Sequence, residues 1–425
     1  MKIRLWLVLS LLVSGVTWLY GSRILKPWND YIGTRDGSLK TQMWDLYPRW
    51  VGTRELLLYG RNPYSPEVSH EIQMAFYGHI ITQDYRDTSR KIVDEQRFAY
   101  PVYVIFLMAP TIYIDFAEVQ RWAPMVLALL AALSIPLCLD FLGCQLRGEA
   151  IAAITLFTIS SPQIVQGMRH QQLSIVVGLL LIAGAWCLRR NHLVTAGALL
   201  AWSTIKPQMA LFPLCFFLIW VIGDWPRRWK LLAGFLGTLV ALIGIGEWLL
   251  PGWVGYFIEG ALAYRRYFPA TSLLRMMLGE ILGELMAAVI VAGLLILAWR
   301  NRRSRADSRE FINGFAGFLI GTILVFPLFI PFNQVLLILP AMLVLQDWKY
   351  LSRLSRIIFA FCVSWPWIAS SVMLIFPPQP DSPKEWPLLP LLLVSFFPLL
   401  LPVVLMSRRR NMIAAQPIIA EAQLS

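Results

Sequence analysis

Apolar runs recur along almost the whole chain, and that recurrence excludes most folds before any motif is considered. Lys2 and Arg4 precede a first run, Leu5 to Tyr20, and later runs can be read near 119–142, 150–165, 173–188, 193–205, 208–223, 230–250, 281–299, 310–328, 334–346, 357–376 and 387–406. In hydrocarbon every backbone N–H and C=O must be satisfied within the protein, so such runs fold as helices. About 20 apolar residues are needed to cross the bilayer core. Several of these runs are shorter, which suits broken helices that face a cavity instead of lipid. Composition agrees: 57% of the 425 residues are hydrophobic, 15% are charged, and the mean hydropathy is +0.60, where soluble domains carry about 25% charged residues. The expected fold is an all-α polytopic membrane protein with about 12 transmembrane helices, read as one integral domain over 1–425.

Charge placement then predicts the topology. Basic clusters stand at Arg189-Arg190, at Arg227-Arg228 with Lys230, from Arg300 to Arg309, at Lys349 with Arg353 and Arg356, and at Arg408-Arg409-Arg410. With twelve spans all of them share a side with Lys2 and Arg4, and the positive-inside rule makes that side the cytoplasm. Gly21-Ser22-Arg23 is a poor cleavage site, so the first run reads as an uncleaved span. The N-terminus and a tail over 407–425 are then cytoplasmic, and the chain reads as a multi-pass protein of a bacterial plasma membrane. The net charge of +12 reflects these clusters, and no nucleic-acid partner is expected. The opposite side receives 21–118, 166–172, 251–278 and Pro377 to Trp386. This assignment holds only if Tyr100-Pro101 to Pro110 does not cross, so that stretch is expected to dip into or lie along the outer surface.

The first loop, 21–118, is the long span without membrane character. Pro48 to Tyr59 reads as an amphipathic helix, with Trp50, Val51, Arg54, Leu57 and Leu58 at helical spacing and with Gly60 and Pro63 as stops. Such a juxtamembrane helix is expected to lie apolar face down on the bilayer. Ser65 to Arg97 shows no clear period and reads as a polar cover.

The side chains available for chemistry on that face are few. The five cysteines show no disulfide or zinc spacing, the four histidines form no HExxH-like pair, and there is no phosphate-binding loop for ATP. Asp45, in Trp44-Asp45-Leu46-Tyr47, is either the cap of the helix that follows or a carboxylate placed to accept a proton from an alcohol; the residue alone favours the cap. Lys206, before Pro207, is a lone ammonium at a membrane boundary, where a lysine either snorkels or meets an anion such as a lipid phosphate. Arg169 can serve the same end. Gln172 and Asn333 can hydrogen-bond sugar hydroxyls or satisfy helix ends.

Four of these features occur in an order that resembles the GT-C glycosyltransferases, and among them the polyprenyl-phosphate-mannose-dependent α-mannosyltransferases of glycosyltransferase family 87. They are Asp45 with the later Gly60-Arg61-Asn62-Pro63-Tyr64, then Phe98-Ala99-Tyr100-Pro101, then Gln172 opening a span, then Lys206-Pro207 closing a span of small residues. The likeness covers the first half of the chain. It departs from the family at Val102, where a second proline is frequent, at the shifted aromatics Tyr47 and Trp50, and at the turn Pro331-Phe332-Asn333-Gln334. The resemblance implies a GT-C-like fold and a hexosyl transfer, mannose first, from a polyprenyl-phosphate donor to a lipid or glycan acceptor. It implies Asp45 as general base, Lys206 and Arg169 on the donor phosphate, and Tyr47, Tyr100, Gln172 and Asn333 on the substrates. No cofactor is implied, and a divalent cation, which the loop acids leave open, is not required by one lipid phosphate. The rival readings are a flippase or transporter of lipid-linked glycans, a GT-C enzyme with another lipid-linked sugar, and a catalytically silent assembly partner. Against transport stand the lack of an intramembrane acidic chain and of internal repeats.

Overall fold

The computed structural model describes residues 2–35, 45–82, 94–267, 271–327 and 330–377. Among them every regular element is a helix. Five stretches are long and apolar enough to cross a bilayer: Leu5–Trp28, Phe116–Leu142, Trp225–Leu249, Glu280–Arg300 and Arg353–Ile375. At 1.5 Å per residue they rise about 30–40 Å, enough for the hydrocarbon core. Shorter apolar helices, Ser174–Arg189, Leu193–Ile205, Pro207–Gly223 and Pro331–Gln346, stand among them. The run expected at 150–165 is broken instead: Gly148–Ile159 and Pro162–Arg169 meet at 59°. Pro162 explains the break, because it lacks an N–H and holds Ser161 in extended backbone at φ −65°, ψ 140°. The run at 387–406 and the tail at 407–425 lie outside the described residues, as do Arg408 to Arg410.

The long helices turn apolar side chains outward. Ile281, Leu285 and Val289 on Glu280–Arg300 are all exposed, an arrangement that suits lipid. The interior is held by close backbone approach and by polar ties. A Cβ on Gly197 would come within 2.2 Å of the Leu231 carbonyl oxygen, and one on Gly234 within 2.3 Å of the Val194 oxygen, so Leu193–Trp202 and Trp225–Leu249 touch backbone to backbone. Thr17 Oγ1 donates to the Ser160 carbonyl at 3.0 Å and accepts from Trp367 Nε1 at 3.0 Å, which joins the first helix to the broken one and to Arg353–Ile375. The chain therefore forms an integral membrane bundle.

The basic clusters gather at one end of this bundle. Arg228 donates to the carbonyls of Trp220, Arg302 and Ser304 at 2.6–2.8 Å, closing the ends of two helices. Arg190 and Trp186 both donate to Asp140 Oδ2, at 2.6 and 2.5 Å. Arg309 pairs with Asp347 and donates to Gln346, whose Nε2 donates to the Leu142 carbonyl at 3.0 Å. Arg189, which donates to the Phe141 carbonyl, acts on Asp307 electrostatically, which links the first of these groups to the other two.

The other end carries the first loop, packed on the bundle. A helix is present at Leu46–Tyr59, and Gly60 stops it as expected, with a left-handed φ of 65° and its N–H on the Leu56 carbonyl at 3.1 Å. The face expected on the bilayer is instead buried in protein: Leu46, Trp50, Val51 and Leu56 lie in the core, and Gly52 meets Phe98 so closely that a Cβ would fall 2.3 Å from its ring. The polar cover also contains a helix that its mixed charges conceal, Pro66–Tyr77, capped by Ser65 and burying Val68, Ile72 and Phe76. Likewise 251–278 holds the helices Trp253–Tyr267 and Leu273–Leu278. Tyr100 to Pro110 does not form a crossing helix. It makes two tight 3₁₀ turns around the four-residue helix Ile105–Met108, and Val102 to Ile105 are buried in the protein.

Candidate active site

Breaks in helices bring the candidate residues together. Lys206 sits between the 3₁₀ turn Ser203–Ile205 and the helix Pro207–Gly223, with φ −128° and ψ 77°. The proline behind it forbids helical backbone there, so the chain steps aside and releases the lysine. Its ammonium points at two other broken places. Lys206 Nζ donates to Ser174 Oγ at 2.6 Å, to Gln172 Oε1 at 3.1 Å and to Asn333 Oδ1 at 3.1 Å. Ser174 passes its own proton to Asn333 Oδ1 at 2.8 Å. Asn333 lies in the 3₁₀ segment Pro331–Leu337, and Phe332 from that segment places its ring 5.2 Å from the ammonium. Lys206 is only 6% exposed, and its three oxygen partners are buried further. The ammonium thus has three neutral acceptors for its three protons.

Asp45 stands at the start of Leu46–Tyr59 but does not cap it. Its backbone is already helical, at φ −53° and ψ −19°, and its side chain makes no capping bond. The carboxylate has no hydrogen bond or ion pair among the described residues. Its charge is instead felt at Lys206, His170, Asp94, Tyr100 and Tyr264. Arg49, one turn along the same helix, donates to the Asp45 carbonyl and lays its guanidinium 4.4 Å over the Tyr100 ring. Burial pushes the Asp94 carboxyl up to about 6; the Gln96 backbone N–H opposes that and the Asp45 charge adds to it. Burial pushes the His170 imidazole down to about 4 against the pull of Asp45. Burial likewise raises the Tyr100 hydroxyl.

The first loop is fastened to this site. Tyr103 Oη shares a proton with Thr204 Oγ1 at 2.8 Å, two residues from Lys206. Tyr64 Oη donates to the Tyr100 carbonyl at 2.6 Å, and Tyr77 Oη to the Asp94 carbonyl at 2.6 Å. Asp45, Tyr100, Lys206, Gln172 and Asn333 therefore share one region. Tyr47 does not join it directly, and Arg169 reaches it only through its charge on the neighbouring His170. The Tyr47 ring packs edge-on against Phe116 at 4.8 Å, and Arg169 is drawn electrostatically to Tyr20 and Asp30 of the N-terminal segment.

Five further residues belong to the site by position: Arg49, Asp94, His170, Ser174 and Tyr264. Sequence reasoning passed over Arg49 and Ser174, although the four-residue spacing of Arg49 from Asp45 and the place of Ser174 two residues after Gln172 are signals that could have found them. Tyr264 arrives on Trp253–Tyr267, which reads as loop, and gave no signal. Among the described residues no three His, Cys, Asp or Glu side chains group closely enough to hold a metal ion. Chemically, the region offers one unengaged carboxylate beside fixed cations and aromatic rings. That suits the removal of a proton from a hydroxyl next to a place where negative charge builds up.

The sequence profile of Glycosyltransferase family 87 matches residues 98–331, more than half of the chain. No match was found among curated proteins or among solved structures.

Proposed function

Given that the chain belongs to glycosyltransferase family 87 and is a membrane glycosyltransferase, we propose that it transfers a hexose, mannose first, from a polyprenyl-phosphate donor to a hydroxyl of a lipid or glycan acceptor, with Asp45 as general base. The observation that carries this reading is the Asp45 carboxylate, which stands at a helix start without capping it and faces a cationic region. In the reaction, Asp45 takes the proton of the acceptor hydroxyl. The acceptor oxygen bonds to the anomeric carbon from the face opposite the donor phosphate, and the bond from carbon to phosphate oxygen breaks with its electron pair on the phosphate. Configuration inverts in this single displacement. The leaving phosphate needs charge stabilisation and no strong acid, which the field of Lys206 and Arg49 supplies.

The site and the basic collar lie at opposite ends of the same helices. Ser174 and Arg189 bound one helix of 16 residues, which rises about 24 Å. If the collar is cytoplasmic by the positive-inside rule, the site faces outward, where a lipid-borne sugar is the available activated donor.

The test is a reconstituted transfer assay with polyprenyl-phosphate mannose, scored by mannosylated product and by free polyprenyl phosphate. An Asp45→Asn change is expected to lower turnover by about 10²–10⁴-fold. Near-normal turnover in that variant removes Asp45 from its role. Translocation of intact donor without bond cleavage favours the flippase, and transfer from another lipid-linked sugar with mannose inert changes the donor alone.

A further inference from the structure

The site holds two cations near Asp45, and their surroundings differ. Lys206 is saturated: Ser174, Gln172 and Asn333 accept its three protons, and none of these partners carries a charge. An ammonium has three donors and no more. For Lys206 to grip a phosphate oxygen, at least one buried amide or hydroxyl oxygen would be left without its proton.

Arg49 is the reverse case. Its Nη1 donates to the Asp45 carbonyl, its plane lies over the Tyr100 ring, and its side chain also hydrogen-bonds Tyr100. Its Nε is shut away from solvent with no acceptor, and no carboxylate pairs with the guanidinium among the described residues. A guanidinium offers five N–H donors in a planar fork, and none of the bonds this one makes is to a carboxylate. The charge is fixed in place by the helix turn that also carries Asp45, so cation and carboxylate move as one body. Asp94 lies within its electrostatic reach but forms no ion pair with it among the described residues. A half-buried guanidinium held in place in this way and unpaired with a carboxylate is set for an oxyanion delivered from outside the chain.

From this contrast we propose that Arg49 makes the direct contact with the donor phosphate, and that Lys206 is a positioning residue that locks Gln172, Ser174 and Asn333 in place. The assignment rests on the lipid-phosphate reading of the site given above. It places leaving-group stabilisation and proton removal on one helical turn: the phosphate meets the Arg49 fork while the acceptor hydroxyl meets Asp45 beside it. Lys206 contributes its field and the rigidity of the polar knot.

The experiment measures polyprenyl phosphate binding to the full-length protein in detergent, with uncharged polyprenol as the control lipid, for the unaltered protein and for R49Q, R49K and K206M. Loss of a charge-assisted contact predicts that R49Q weakens polyprenyl phosphate binding by about 10- to 100-fold with polyprenol binding unchanged, and R49K recovers part of the loss. K206M is expected to lower the melting temperature, while its folded fraction binds polyprenyl phosphate within about tenfold of the original. Equal affinity in R49Q and the unaltered protein overturns the assignment and leaves the lipid-phosphate reading standing. A larger loss in K206M than in R49Q overturns it as well. Failure of the unaltered protein to bind polyprenyl phosphate at all overturns the lipid-phosphate reading, and the Arg49 assignment with it.

Discussion

Asp94 shows how a single carboxyl can report on the site. Burial raises its pKa from the usual 3.8 to about 6. The native protein therefore holds that proton more tightly than the unfolded chain does. Stability from this group is present at low pH, falls as pH rises from about 4 towards about 6, and is level above that. Asp94→Asn removes the titration, so its melting temperature in detergent should exceed that of the unaltered protein at pH 7 and converge on it near pH 4. Parallel melting curves across that range would show that Asp94 is not held in the folded protein as described. Asp45 teaches the complementary lesson about what a sequence carries. Its position before a helix was legible, and position alone favours a cap. What decides the matter is the direction of one side chain, set by a backbone that is already helical at Asp45. No spacing rule encodes that direction.

Breaks between elements do more for the site than the elements do. Lys206, Asn333 and Gln172 are presented by interrupted helices, and Pro207 and Pro331 mark two of those interruptions plainly in the sequence. The Lys206-Gln172-Asn333 grouping was legible to that extent, as candidate polar groups at span ends. Their mutual bonding was not, because it depends on how three separate helices pack. The helix Pro66–Tyr77 was legible in retrospect through Ser65-Pro66 and the spacing of Val68, Ile72 and Phe76, but interleaved charges weakened its period. The first loop is joined to the Lys206 break by the bond between Tyr103 and Thr204. Tyr103→Phe deletes that bond and leaves the packing intact, so it should cost about 1 kcal/mol of stability. It should also raise the donor KM more than it lowers kcat, since it loosens a docking contact and touches no proposed reacting group. A variant kinetically identical to the original would detach this bond from the site. Gly52→Ala is the harsher probe of the same docking. Its new methyl meets the Phe98 ring, and overpacking of that kind costs about 1–3 kcal/mol.

For the whole molecule, the distribution of charge converts a bundle into an oriented one. The Phe116–Leu142 helix spans the distance between the two ends: Phe116 packs with Tyr47 and Trp50 beside the site, and the Leu142 carbonyl accepts from Gln346 within the basic collar. Its 27 residues rise about 40 Å, enough to set the two ends on opposite sides of a bilayer. Tyr113, just before this helix, is 84% exposed at the site end, and Arg305 is exposed at the collar end. In a protein stripped of its five native cysteines, Tyr113→Cys should label with a membrane-impermeant maleimide in intact cells, while Arg305→Cys should label only after the membrane is opened. The positive-inside rule predicts this order because Arg190, Arg228, Arg302 and Arg309 crowd the collar. The reverse order would turn Asp45 towards the cytoplasm. Nucleotide sugars are available there, so the argument for a lipid-borne donor would lose its support from topology. The Arg49 fork would then have to be tested against a sugar diphosphate, whose two phosphates demand more positive charge than one guanidinium and one saturated ammonium provide.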